Sequence, residues 1–201
     1  MPPSLDNNEA AALPLVASTA LQALRDEAHL VPGQRICING ASGGVGTAAV
    51  QIARIMGGQI TAVSRIENHP FLLDLGADEC LDYRDLDITK SGRQFDIFFD
   101  VFGNRPFDSI KPILTETGVW VSTVLQPHVF ASVEATKNSS GKKAKLVIVK
   151  TSRSDLDIIC GWVDAGQLKP ILHDIYPLEQ IQAAHAQQET KHTRGKIVIS
   201  I

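Results

Sequence analysis

In this 201-residue chain, the stretch whose residue types and spacing best suit chemistry is Ile38-Asn39-Gly40-Ala41-Ser42-Gly43-Gly44-Val45-Gly46. An apolar run, Arg35 to Asn39, precedes it. An amphipathic run, Gly43 to Met56, follows it and puts Val45, Ala49, Ile52 and Ile55 on one face. A glycine-rich turn between a strand and a helix lets the backbone bend sharply and come close to a ligand. The first turn of the helix then offers unpaired N–H groups and the positive end of its dipole. Such a turn suits a phosphate or pyrophosphate, and in this context it is the fingerprint of a dinucleotide site. The first glycine of the usual motif is Ala41 here, with Gly40 just before it; the strand and helix on either side make up for the departure. The candidate contacts in the turn are Ala41, Gly43, Gly44, Val45 and Gly46.

The same residues admit a rival reading. Gly40-Ala41-Ser42-Gly43-Gly44 also matches G-x-S-x-G, the elbow that presents a nucleophilic serine. A serine hydrolase using Ser42 would need an upstream oxyanion loop of the HGGG kind, which the sequence lacks. It would also need Asp and then His at strand ends. His173, His185 and His192 are available, but His185 lies in a helical pattern and His192 in a charged turn. A methyltransferase, another class built on a related fold, has less in its favour.

The nucleotide is specified about 20 residues further on, where an NAD site carries Asp or Glu for the ribose 2′-hydroxyl. This chain has Ser64-Arg65 there, and Glu67 comes only later, in the turn. A hydroxyl and a guanidinium suit a 2′-phosphate, so NADPH is expected over NADH. Tyr83, after the next strand, is placed to cover the adenine or reach the same phosphate.

The elements that must position these residues alternate. Strands are expected at Arg35 to Asn39, Gln59 to Val63, Glu79 to Asp82, Asp96 to Val101, Gly118 to Ser122 and Ala144 to Val149. Helices are expected at Leu15 to Asp26, Gly43 to Met56, Phe71 to Leu75 and Pro106 to Leu114. Asp6 and Glu9 have capping-box spacing ahead of a short alanine-rich turn. Strands apolar throughout and separated by helices imply a parallel sheet covered on both faces. The expected fold is therefore an α/β, Rossmann-type doubly wound parallel sheet of about six strands, with its ligand at the strand carboxyl ends. Three segments follow: a leading helix and connector (1–30), the nucleotide-binding domain (31–153), and a tail (154–201) that is part of the same unit. In the tail, Asp155 to Ala165 and Leu178 to Gln188 read as helices and Ile197 to Ile201 as a strand. Leu168 to Ile175 reads as a strand that Pro170 restricts to an edge or another sheet.

Composition excludes several classes. Apolar residues are 44% and charged residues 20%, ordinary for a chain that buries a core. The net charge of -3 gives no general attraction to nucleic acid or anionic membrane. No run is apolar enough to cross a bilayer, and the first residues lack a secretory pattern. Cys37, Cys80 and Cys160 are too dispersed for a disulfide framework or a metal knuckle, which fits a reducing cytoplasm. No side chain stands out as a catalytic acid or base.

Ala10 to Leu15, Ser18 to Leu24, Gly40 to Gly46, Leu75-Gly76-Ala77-Asp78 and Arg194-Gly195-Lys196 occur in order. Together they resemble the zinc-containing alcohol dehydrogenase superfamily of medium-chain dehydrogenases and reductases, in its zinc-independent quinone-oxidoreductase branch. The resemblance runs from about Leu5 to the end. It implies Thr19 near the nicotinamide, pyrophosphate bound by amides of Gly44 and Val45, and the 2′-phosphate end held by Ser64, Arg65 and Tyr83. It further implies Phe102 and Gly103 along the nicotinamide ribose, Ser122, Thr123 and Val147 to Val149 bordering the nicotinamide, and Lys196 reaching back to a phosphate.

The resemblance also implies an activity: hydride transfer from NADPH to a quinone, an enone or a similar small carbonyl substrate. The alternative is a dinucleotide-binding or interaction module without turnover. Zinc is not expected, because a catalytic ligand of the zinc enzymes would fall near Leu15, and the cysteine-rich structural loop is missing. The family begins with a GroES-like lobe, and this chain starts after it. The tail segments Leu168 to Ile175 and Ile197 to Ile201 are expected to join that lobe, and the chain alone is expected to be inactive. A homodimer is expected through the edge strand at 144–149, as the family pairs such edges across a two-fold axis. Lys142, Lys143 and Lys145 oppose that pairing mildly, by like charge.

Overall fold

The computed structural model describes residues 2–201. Six strands form one parallel sheet: β1 (Arg35–Asn39), β2 (Gln59–Ser64), β3 (Glu79–Asp82), β4 (Phe95–Asp100), β5 (Leu114–Ser122) and β6 (Lys143–Leu146). Their spatial order is β3-β2-β1-β4-β5-β6, so the winding reverses between β1 and β4. This is the doubly wound Rossmann order, as expected, with its ligand crevice at the reversal.

Alternation along each strand divides the core. Ile36 and Ile38 of β1, Ile97 and Phe99 of β4 and Val121 of β5 face one layer. That layer is completed by α2 (Pro14–Gln22), α3 (Gly44–Ile55), α4 (His69–Asp74) and α7 (Arg153–Asp164). Cys37, Phe98 and Trp120 face the other layer, against α5 (Phe107–Ile110) and α6 (Pro127–Thr136). Trp120 is fully buried, its ring centroid 5.7 Å from that of Phe107. Burying side chains of this size contributes about 1.5–3 kcal/mol each.

Several boundaries differ from the sequence expectation. The Asp6–Glu9 capping box forms and starts a separate helix, α1 (Asn7–Ala12). Pro14 then opens α2, which widens into a π-helical turn at Ala23–Glu27 instead of running regularly to Asp26. The expected helix Pro106 to Leu114 shortens to α5 and a 3-10 turn. Pro112 sits at the start of that turn, and β5 begins at Leu114 rather than Gly118. Helix α6 lies outside the sequence expectation: it buries only Val129 and Thr136, too few positions for a visible stripe. Strand β6 ends at Leu146, not Val149. Val147 gives its N–H to the Ser122 carbonyl at 3.0 Å, and β5 stops there. The next backbone is claimed by Gln22, whose side chain pairs with both the N–H and the C=O of Lys150.

In the tail, β7 (Leu172–Pro177) and β8 (Lys196–Ser200) form a separate two-stranded parallel sheet. Pro170 lies outside β7, which starts later than the expected Leu168. A 3-10 turn at Leu178–Gln180 precedes α8 (Ile181–Glu189). Ile171, Ile197 and Ile199 are half-buried and Ile175 is exposed. Among the described residues, no helix is long and apolar enough to cross a membrane.

Candidate functional site

The carboxyl ends of the strands are polar: Asn39, Asp100 and Ser122 are in register across β1, β4 and β5, and Ser64 pairs with Asp82 across β2 and β3, one residue beyond the Asn39–Val63 pair. The glycine turn rises from the middle of it. Gly40 takes φ +87°, and the amides of Gly40 and Ala41 both donate to the Val63 carbonyl. Gly43 is the N-cap of α3 and has no side chain to cap with, so the first-turn N–H groups are left for a ligand. A Cβ on Gly46 would collide with the Gly40 oxygen, so the helix can start this close to the turn only at glycine. A Cβ on Gly43 would touch nothing nearer than that oxygen at 3.6 Å. Val45 is half-buried and Ala41 is buried.

The tail closes over this turn. Gly195 donates to the Ser42 carbonyl at 2.9 Å and bridges to Gly43. Lys196 donates its N–H to the Ile171 carbonyl, and its side chain lies over Gly44, where an added Cβ would meet Lys196 Cδ at 2.7 Å. The structure thus brings Lys196 to the glycine turn. The histidines do not bring a nucleophile to life. The His173 ring contacts Gln187 and the Arg194 amide, and the His192 ring contacts Arg65, so neither serves Ser42.

At the end of β2, Arg65 donates from Nε to the Tyr83 hydroxyl at 2.9 Å and from its terminal nitrogen to Nε2 of His192. Ser64 is buried, and its hydroxyl donates to the Arg65 carbonyl at 3.1 Å. Among the described residues Arg65 makes no ion pair. The nearby carboxylates are held by another cation: Arg84 binds Asp82 at 2.6 Å and Glu67 at 3.2 Å. The Arg84 guanidinium keeps the Asp82 carboxyl far below the usual carboxylate range. Arg194 reaches Asn68 and the Glu67 carbonyl at 2.8 Å, fastening the tail loop to the same corner.

On the other side of the reversal, Phe102 is exposed beside Gly40 and Gly103 takes φ +76°. Their loop is hung from Asp100, a residue the sequence reading does not single out. Its carboxylate accepts from Asn39 Nδ2 at 2.8 Å, Gly103 N at 2.9 Å and Arg105 N at 3.3 Å. Burial pushes the Asp100 carboxyl up, against those bonds. Thr19, Ser122 and Val147 are buried. The Thr19 hydroxyl bonds the Leu15 carbonyl, the Ser122 hydroxyl accepts from Val124 N, and Thr123 donates to the Val101 carbonyl. Ile148 is exposed and Val149 half-buried. These residues border the strand ends through packing, with their hydroxyls already engaged.

No group of three or more His, Cys, Asp or Glu among the described residues is arranged to hold a metal ion.

Residues 75–199 match the family model described as zinc-binding dehydrogenase. The chain is 31% identical, over 95% of its length, to the chloroplast envelope quinone oxidoreductase homolog of Arabidopsis thaliana, covering 61% of that protein. Its fold superposes on the quinone oxidoreductase of Coxiella burnetii with TM-score 0.88 and 30% identity, over 98% of this chain and 62% of that one. The quinone oxidoreductase of Thermus thermophilus, solved also with NADPH, superposes with TM-score 0.79 and 26% identity, over 100% of this chain and 68% of that one. The chain thus spans about three fifths of the Arabidopsis relative.

Proposed function

This chain belongs to the zinc-binding dehydrogenase family, in its medium-chain, quinone-oxidoreductase-like branch, and we propose that it is the NADPH-binding portion of a reductase acting on a quinone, an enone or a similar carbonyl acceptor. One observation carries the reading. The tail loop crosses from the glycine turn to Arg65, so one strand-end surface has two places suited to anions. The first fits a pyrophosphate: the amides at Gly44 and Val45 open α3, Ala41, Gly43 and Gly46 let the backbone close in, and Lys196 supplies a cation. The second fits a 2′-phosphate, with Arg65, Tyr83 and the end of β2 at Ser64. Phe102 and Gly103 would border the nicotinamide ribose. Thr19, Ser122 and Val147 would back the nicotinamide wall by shape.

Bound NADPH would supply the hydride; the chain's own residues bind it, orient it and keep water from its buried side. Arg65 is the basis for NADPH over NADH, because a charged fork of donors favours a phosphate over a hydroxyl. The test is nicotinamide fluorescence on titrating the chain with NADPH. Binding by wild type that weakens about tenfold or more in Arg65→Ala supports the reading; no binding to wild type overturns it.

The chain alone turns over no acceptor, since a GroES-like lobe would shape the rest of the pocket. It carries no zinc, in keeping with Leu15, 62% exposed and no ligand, at the position where zinc enzymes place one; elemental analysis finding one zinc per chain would refute this. It forms a homodimer through the β6 edge, where Lys145 is already drawn aside by Glu27 at 3.6 Å; sedimentation showing a monomer at micromolar concentration would refute that. Its three free cysteines suit a reducing compartment such as the cytoplasm.

A further inference from the structure

Arg65 and His192 are 127 residues apart in sequence, and their side chains meet at hydrogen-bond distance. A guanidinium has donors only. In this pairing, therefore, the imidazole Nε2 accepts and the ring proton sits on Nδ1. Tyr83 accepts from Nε of the same guanidinium at 2.9 Å. The surrounding charges are taken. Arg84 is held by Asp82 and Glu67, and Arg194 by Asn68 and a backbone carbonyl. Arg65 donates to a phenol and an imidazole and makes no ion pair among the described residues, although the Glu67 carboxylate held by Arg84 is near enough to feel its charge. Such an arrangement matches an anion with several acceptor oxygens.

We propose that His192 is a specificity-determining residue of the 2′-phosphate site, supplied by the tail loop to the corner formed by β2 and β3. The inference rests on the dinucleotide reading above. A phosphate offers acceptors only, so when Arg65 turns its donors to it, His192 exchanges its role. Nε2 stops accepting from Arg65; the exposed ring gives its Nδ1 proton to water and takes one at Nε2, with no net change in protonation, and Nε2–H then donates to a phosphate oxygen. The loop that carries His192 is anchored at its other end to the pyrophosphate turn, through Gly195 on Ser42 and Lys196 over Gly44. One loop therefore bears on both phosphate positions, and the tail takes part in choosing the nucleotide.

Calorimetric titration of the full chain with adenosine 2′,5′-bisphosphate and with 5′-AMP tests this without involving the nicotinamide half. His192 is exposed, so its variants should fold. His192→Ala should weaken the bisphosphate about tenfold, the scale of one hydrogen bond to a charged group, and leave 5′-AMP unchanged. His192→Gln, which keeps a donor, should recover part of the loss. If His192→Ala binds both as wild type does while Arg65→Ala loses its preference for the bisphosphate, the role of His192 is wrong and the 2′-phosphate reading stands. Equal weakening of both nucleotides would reduce His192 to a structural residue. Equal affinity of wild type for both nucleotides would overturn the two together.

Discussion

Asn39 donates from Nδ2 to the Asp100 carboxylate at 2.8 Å, joining the ends of β1 and β4 where the strand order reverses. The same carboxylate holds the backbone of Gly103 and Arg105, so it sets the loop that carries Phe102. Asp100→Ala should cost about 2–4 kcal/mol in urea denaturation, because it strands donors that have lost water. It should also weaken NADPH binding. Burial raises the Asp100 carboxyl above its ordinary 3.8. Its contribution is therefore fully present below that value and declines as pH rises through the raised value. The cost of Asp100→Asn should accordingly shrink between acid and neutral pH. A cost independent of pH would count against the assignment.

Asp82 works in the opposite sense. The Arg84 side chain, with the Arg84 and Ile66 amides, lowers its carboxyl below the ordinary 3.8. Its contribution is present above that value and lost as pH falls toward the lowered one. Wild type should lose stability steeply in acid, and Asp82→Asn, less stable at neutral pH, should lose it more gently. Denaturation midpoints measured across that range check this, and parallel pH profiles for the two proteins would contradict it.

The glycines of the turn should separate by what surrounds them. Gly46→Ala drives a Cβ into the Gly40 oxygen and the Ala41 backbone, neither of which can yield cheaply. It should lose more than about 2 kcal/mol of stability, as overpacking against backbone does, and lose NADPH binding with it. Gly43→Ala has room and a φ of -78° that any residue adopts, so its stability should stay within about 1 kcal/mol of wild type. Any loss of binding there then reports a methyl group in the path of the ligand. Similar thermal melts for the two variants would show that the turn is looser than the structure has it.

What the sequence made legible follows from how local each signal is. Strands such as Arg35–Asn39 and Phe95–Asp100 are apolar on both faces and bounded by turns, so their place in a covered parallel sheet could be read directly. The glycine turn could be read because strand, turn and helix start are contiguous. Helix α6 could not, since it lies on the sheet with only Val129 and Thr136 buried. The start of β5 was hidden by Thr115, Glu116 and Thr117, which are polar where the strand has not yet entered the core. Asp100 ends an apolar strand shortly before Gly103, and that position was the available signal. The meeting of Arg65 with His192 had none, because chain topology alone brings them together.

If Arg65 and its neighbours make this strand-end surface a site for NADPH, the two nicotinamide nucleotides must bind unequally. Isothermal titration of the chain with NADPH and NADH under identical salt tests this most directly. NADPH should bind more tightly by about 1.5–3 kcal/mol, the worth of hydrogen bonds to a charged group, and Arg65→Ala should erase most of the difference. Equal affinities for the two nucleotides in the wild-type chain would contradict the assignment.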